Sequence, residues 1–210
     1  MFGTVQKLTI DGPGNTDITS VIQTGAGSLT KNGAGTLFLS GASTYGGGTI
    51  LNSGTLNLEI DSVPSGAAPS VSPVLTGPLG TGLFTINGGT VGTSTFSGTN
   101  TAHSVGNDVL VNANFGVSNV PRTPVVAPTS GIDGGVLNSI KSGLFNSDGI
   151  NFAGNVFLNK PGAVTVITTN SGFVDFTGGI YDLNAGTGGG LTFAGNTATY
   201  LGAREQPHGG

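Results

Sequence analysis

Pairs of apolar side chains two positions apart recur along the chain, at Leu8/Ile10, Leu37/Leu39, Leu56/Leu58, Phe84/Ile86, Val109/Val111, Val156/Leu158, Val174/Phe176 and Leu191/Phe193. In a β-strand successive side chains alternate between faces, so each pair puts two apolar groups on one side. Successive pairs return after 19 residues from Leu37 to Leu56, 25 from Phe84 to Val109, 18 from Val156 to Val174 and 17 from Val174 to Leu191. A loose period near 20 residues is the mark of stacked repeats, in which no unit buries its apolar face alone and each covers the next. The helical patterns that a leucine-rich repeat needs are missing, so each turn consists of strands and corners only. The spacing therefore predicts an all-β chain wound as a single-stranded parallel β-helix.

The corners are legible in the glycines, 40 among 210 residues against an average near ~7%. Glycine costs about 1 kcal/mol at each interior helix position, which excludes a helix bundle or coiled coil. A hydrophobic fraction of 36% with a net charge of only −4 gives the chain enough apolar surface to fold. Gly-Gly pairs precede β-forming residues at Gly47-Gly48-Thr49-Ile50, Gly88-Gly89-Thr90-Val91, Gly134-Gly135-Val136-Leu137, Gly178-Gly179-Ile180-Tyr181 and Gly189-Gly190-Leu191-Thr192. Corners call for positive φ, which glycine adopts freely, and Asp11-Gly12, Asn32-Gly33, Asn87-Gly88, Asp133-Gly134 and Asp148-Gly149 serve the same purpose. Asparagines stacked from coil to coil would form a ladder along the axis. With strands ~4.8 Å apart, 210 residues would make a rod on the order of 50 Å long.

Six Lys and Arg against ten Asp and Glu leave no basic stripe to neutralise phosphates, which excludes nucleic acid as a partner. The chain has no cysteine, which removes disulfides, thiolate metal sites and cysteine nucleophiles; this suits a protein exported unfolded and equally many cytosolic ones. The first residues, Met1 to Lys7, lack the charged and apolar regions of a signal peptide, and no apolar run approaches the ~18 residues of a membrane span. Two proline-rich stretches interrupt the pattern, over 62–78 and 120–129. Proline cannot donate to a strand ladder, so both are expected to leave the stack as loop excursions, read as connections in preference to binding loops. Glu59, Asp61 and Arg122, which flank or sit in them, are expected to be solvated.

From Gly33 to Ile50 the sequence runs GAGTLFLSGASTYGGGTI and continues through Asn52-Ser53-Gly54-Thr55-Leu56, with Leu29-Thr30-Lys31 just upstream. This stretch closely resembles the autotransporter-associated β-strand repeat, also called the passenger-associated transport repeat. The likeness is strong over 25–58, continues in Gly80 to Val91, and is compositional between Gly98 and Leu183. The resemblance implies a right-handed β-helix from the passenger region of a secreted or surface-displayed protein of a Gram-negative outer membrane. There it implies an adhesin or rigid stalk whose repeat assists export and folding. It further implies a host or extracellular glycan or other surface ligand as partner, and a C-terminal membrane barrel in the parent protein. No such barrel is seen in residues 1–210, which are expected to be one β-helical domain of a longer passenger.

No catalytic, cofactor-binding or metal-binding residue is expected. A Ser-His-Asp set could be drawn from Ser104, His103 and Asp108, but adjacent strand residues diverge, so His103 and Ser104 should face opposite ways. His208 falls in a terminal tail. Gly106-Asn107-Asp108 echoes one copy of a calcium-binding nonapeptide that works only in tandem. Asp175, between Val174 and Phe176, should face solvent, with Asp182 near the next corner. If those two converged at roughly 5 to 10 Å, the chain would be a polysaccharide hydrolase or lyase, the alternative reading. Lys31, Lys141 and Lys160 read as solubility residues. Tyr45, Tyr181 and Tyr200, with Phe38 and Phe157 outward, would suit a carbohydrate-binding module only if aligned on one face; covering of neighbouring coils is the favoured reading.

Overall fold

The computed structural model describes residues 5–64, 73–94, 102–119, 149–169, 173–184, 190–195 and 198–201. Numbered in chain order, the strands fall into three parallel sheets and one small antiparallel pair. The first sheet stacks β1 (Lys7–Ile10), β3 (Ser28–Lys31), β5 (Thr49–Leu51), β9 (Phe84–Ile86), β12 (Val109–Val111), β15 (Val156–Leu158) and β18 (Ile180–Asp182). The second stacks β2 (Thr16–Ile18), β4 (Thr36–Leu39), β6 (Thr55–Leu58), β10 (Thr90–Thr93), β13 (Phe115–Asn119), β16 (Ala163–Thr169) and β19 (Gly190–Gly195). A third sheet closes the later coils with β11 (His103–Val105), β14 (Gly149–Phe152), β17 (Phe173–Phe176) and β20 (Ala198–Leu201). The chain visits these sheets in turn and every pairing within them is parallel, which is a parallel β-helix.

All eight apolar pairs point into one continuous core, the outermost, Leu8/Ile10 and Leu191/Phe193, being only partly covered. Short strands read buried, half-exposed, buried, so two side chains per strand face the core and one faces out. Each buried Leu, Val or Phe contributes roughly 1.5–3 kcal/mol of transfer free energy. Stacking in register lets like sit on like: Leu37 lies on Leu56, and Leu39 on Leu58. In the later coils Phe152 stacks on Phe176 at 5.2 Å between ring centres and meets Phe115 edge-on at 6.3 Å. Two of the sequence spacings are true coil periods, Leu37 to Leu56 and Phe84 to Val109, each within one sheet. The 18 and 17 residue steps through Val174 are not, because β15, β17 and β19 lie in three different sheets.

The expected asparagine ladder forms at the corner that follows the first sheet. Asn52 Nδ2 donates to Asn32 Oδ1, Asn87 to Asn52 and Asn112 to Asn87, all at 2.7 Å, and Asn159 donates to Asn112 at 2.8 Å. The rungs are separated by 20, 35, 25 and 47 residues, so two of the four coils carry long insertions. One insertion holds the first proline-rich excursion, where β7 (Val63–Pro64) pairs antiparallel with β8 (Val74–Thr76) apart from the stack. The other contains 120–129, which lies outside the described residues. Because these insertions consume chain without adding coils, the longest sheets hold seven strands. At ~4.8 Å per strand they span about 29 Å and not the 50 Å expected for an uninterrupted stack.

Positive φ explains only some of the corner glycines. Gly48 (φ 84°) and Gly89 (φ 77°) require it. At Gly154 and Gly178 the constraint is the coil below: an added Cβ would lie 2.1 Å from the Asn107 carbonyl oxygen and 1.9 Å from that of Gly154. Backbone there stacks directly on backbone. Replacing Gly154 with Ala should cost about 3 kcal/mol or more by urea denaturation, because the neighbour that must shift is main chain. Gly14→Ala, where nothing lies within 4 Å, is the near-neutral control. Asn87→Ala, which removes a bond to the rung on each side, should cost about 1–2 kcal/mol in the same assay.

Candidate functional site

Buried polar groups gather where β6 runs out toward the excursion and meets the end of β10 and the start of β11. Asn57, Glu59, Ser94 and His103 are all buried there. The Asn57 amide donates to Ser94 Oγ, and Ser94 Oγ donates to Glu59 Oε1 at 3.2 Å. His103, on the inward face in register with Ile150, places Nε2 3.0 Å from the Ser94 carbonyl oxygen and Nδ1 3.2 Å from Asp61 Oδ1. The Ser104 N–H donates to the same carboxylate oxygen at 2.8 Å. Asp61 is thus a partner of His103 and not merely a solvated charge.

This arrangement is a brace. A serine nucleophile needs its hydroxyl against the imidazole, whereas His103 faces the Ser94 backbone carbonyl and the hydroxyl is sealed from solvent beside Glu59. The set Ser104, His103 and Asp108 does not assemble either, since Asp108 Oδ1 accepts the Asn155 N–H at 2.9 Å. Asp175 and Asp182 are divided between the third and first sheets. Asp175 faces away from the core as alternation requires, yet it is only 7% exposed, so the expectation of a solvent-facing carboxylate there fails. Asp182 is exposed and accepts the Asn184 N–H at 2.8 Å in a local turn.

Lys31 departs furthest from expectation. It is 1% exposed, and its Nζ donates to the carbonyl oxygens of Asn32, Gly33 at 2.9 Å and Ser53 at 3.4 Å. Burial lowers its pKa, with Asp11 opposing that shift. The ammonium supplies donors to corner carbonyls of two successive coils. Its signal was present in the sequence, because Lys31 lies two after Leu29 and must share its inward face. Lys160 is half-buried, with Nζ donating to the Ala163 carbonyl oxygen at 2.6 Å; Lys141 lies outside the described residues.

Aromatic side chains serve packing. Tyr45 is 0% exposed, with its hydroxyl 2.6 Å from Thr49 Oγ1, and burial pushes the phenol above its ordinary value of 10.0. Its ring lies over Gly80, where a Cβ would come within 2.8 Å of it. Phe38 is buried, and Phe157 stacks on Tyr181 at 5.4 Å and 21°. The side chain of Tyr200 lies outside the described residues. Outward aromatics therefore cover one another between coils, as at Phe157 and Tyr181. Asn107 is also buried, donating to the carbonyl oxygens of Gly80 at 3.1 Å and Gly82 at 2.8 Å while accepting from Ser62 Oγ at 3.3 Å. It is a tie between the excursion and the stack, and no ion site forms around it among the described residues.

The His103 hydrogen bond, helped by the Ser104 N–H, holds the Asp61 carboxyl below its ordinary 3.8 against the opposing effect of burial. A carboxyl so lowered stabilises the fold above its unfolded pKa and loses that contribution as pH falls through the folded value. Asp61→Asn should therefore flatten the fall in Tm between about pH 5 and about pH 2, measured by thermal denaturation against the parent chain. An unchanged slope would show that the brace carries no such linkage.

Comparison with known proteins bears on the same region. Residues 29–58 match the family model described as Passenger-associated-transport-repeat. The match runs from β3 through β6, two strands of the first sheet and two of the second. No curated protein and no solved structure matches the chain at a significant level. Over residues 29–58, in the early coils of its parallel β-helix, the chain is therefore similar to the passenger-associated transport repeat.

Proposed function

We propose that this chain is a structural and adhesive segment of a surface-displayed or secreted autotransporter-like passenger, which assists export and carries its excursions on a rigid rod. The observation that carries this reading is the match at residues 29–58 falling on coils that continue in register into the rest of the stack. A repeat of that kind supplies a folded template: once β3 to β6 are paired, β9 and β10 add to edges that already present donors and acceptors in the right register. Folding that propagates coil by coil suits a chain that emerges gradually from an export pore. The absence of cysteine fits the same route, since no disulfide could form before translocation.

Catalysis finds no support in the paired-acid reading, because Asp175 and Asp182 stand on different sheets and one of them is covered. What remains accessible is the outer faces of the sheets and the excursion at β7 and β8.

The test is display. Fused between a signal peptide and an autotransporter barrel in a Gram-negative host, the chain should reach the cell surface and be accessible to added protease. Deleting 29–58, or replacing Leu37 and Leu56 together by Ser, should lower surface display several-fold while the barrel still inserts, read by surface labelling against a tag on the barrel. Equal display with and without the repeat would overturn the export-assisting role.

A further inference from the structure

A cleft of about 320 Å³ lies between the excursion and the stack. One wall is Pro73 and Val74, at the start of the returning strand β8; the other is Leu83 and Asp108, which take the same place in successive coils, each just before its strand of the first sheet. Thr81, Gly82, Gly106 and Asn107 also line it. Leu83 is 43% exposed, so its side chain offers apolar surface to the cleft. Asp108 is the sole charged residue lining the cleft among the described residues. One of its oxygens, Oδ1, is fixed by the Asn155 N–H at 2.9 Å, which orients the carboxylate and leaves Oδ2 for an outside donor.

The cleft is held open in advance. Asn107, next to Asp108, grips the corner at Gly80 and Gly82 with its amide hydrogens and the root of the excursion at Ser62 with its oxygen. Those bonds fix the lining segments relative to one another, so a ligand would not have to order them on binding. The volume lies at the lower end of ligand-sized sites, enough for one long side chain and too little for a large cofactor.

We propose that this cleft is a docking site for a single basic side chain, lysine or arginine, on an extended segment of a partner polypeptide. The aliphatic stem would lie along Leu83, Val74 and Pro73, and the cationic head would donate to Asp108 Oδ2, with the Thr81 hydroxyl oxygen as a second acceptor. Charge complementarity selects this occupant: an anionic group would meet the Asp108 carboxylate as a like charge, on a chain of net charge −4. A purely apolar side chain would leave the carboxylate to be desolvated without a partner. This site stands independently of the export role.

The test uses the whole chain, uniformly labelled with nitrogen-15, titrated with acetylated and amidated pentapeptides that differ only at the centre: Gly-Gly-Lys-Gly-Gly, its arginine form, and its norleucine and glutamate forms. The lysine and arginine peptides should shift the backbone amides of Gly82, Leu83, Gly106 and Asp108, and the effect should weaken as salt is raised from about 0.05 M to about 0.5 M. Asp108→Asn keeps an oxygen for the Asn155 N–H, so the corner should stay folded while affinity for the cationic peptides drops about tenfold. Leu83→Ser, at an exposed position, should weaken both peptides with the carboxylate intact. Equal shifts from the norleucine peptide, insensitivity to Asp108→Asn, or shifts that avoid these four amides would each overturn the proposal. Loss of surface display would leave this outcome unaffected, so the two readings fail separately.

Discussion

Parallel strands of successive coils lie one on another at a single hydrogen-bonded spacing, and almost every other feature of this molecule follows from that contact. At ~4.8 Å a backbone has room for the backbone of the next coil and for little else at a corner. Hence Gly178 on Gly154, and Gly154 on Asn107, where a methyl group would overlap a carbonyl oxygen. Within the strands the same spacing puts each inward side chain on the one below, so a column must be filled with groups that tolerate their own kind: leucine on leucine, phenylalanine on phenylalanine, asparagine on asparagine. The glycine content is the steric consequence of this stacking more than of unusual dihedral angles.

Much of this was readable before any coordinates, because alternation is a local rule. Each apolar pair faces the core, Ser104 diverges from His103, and the asparagines form their ladder. What alternation cannot give is which face of the prism a strand belongs to. The step from Val156 to Val174 looks like a coil but is a move to another sheet, since face assignment depends on corner angles that the periodicity does not encode. Nor does alternation say what lies over an outward side chain. Asp175 and Phe38 both point away from the core and both are buried.

Two polar residues expected to be solvated, Lys31 and Glu59, lie buried instead at the end of β3 and just past β6, where carbonyl and amide groups leave the ladder and need partners from elsewhere. A long-range partner cannot be read from spacing: Asp61 reaches His103 across 42 residues, and Ser62 reaches Asn107 across 45. Lys31 is the exception that sequence logic could have caught, since two positions after Leu29 is an inward position, and an inward lysine needs several acceptors to offset its desolvation.

These ties also explain how the stack absorbs insertions. Closing a longer loop costs only about 0.6 kcal/mol for each doubling of its length, whereas a missed rung forfeits hydrogen bonds and the alignment of a whole coil. Rungs separated by 35 and by 47 residues therefore make the same 2.7 to 2.8 Å contact as rungs separated by 20. The excursion at β7 and β8 is pinned where it leaves the stack, by Ser62 on Asn107, and where it returns, by Gly77, whose N–H and carbonyl pair with Ser43. Selection can then vary the residues of the excursion and of the cleft beneath it while the columns below remain fixed by their neighbours. On this architecture an insertion can lengthen without disturbing the columns, and the coils themselves supply the ground on which it stands.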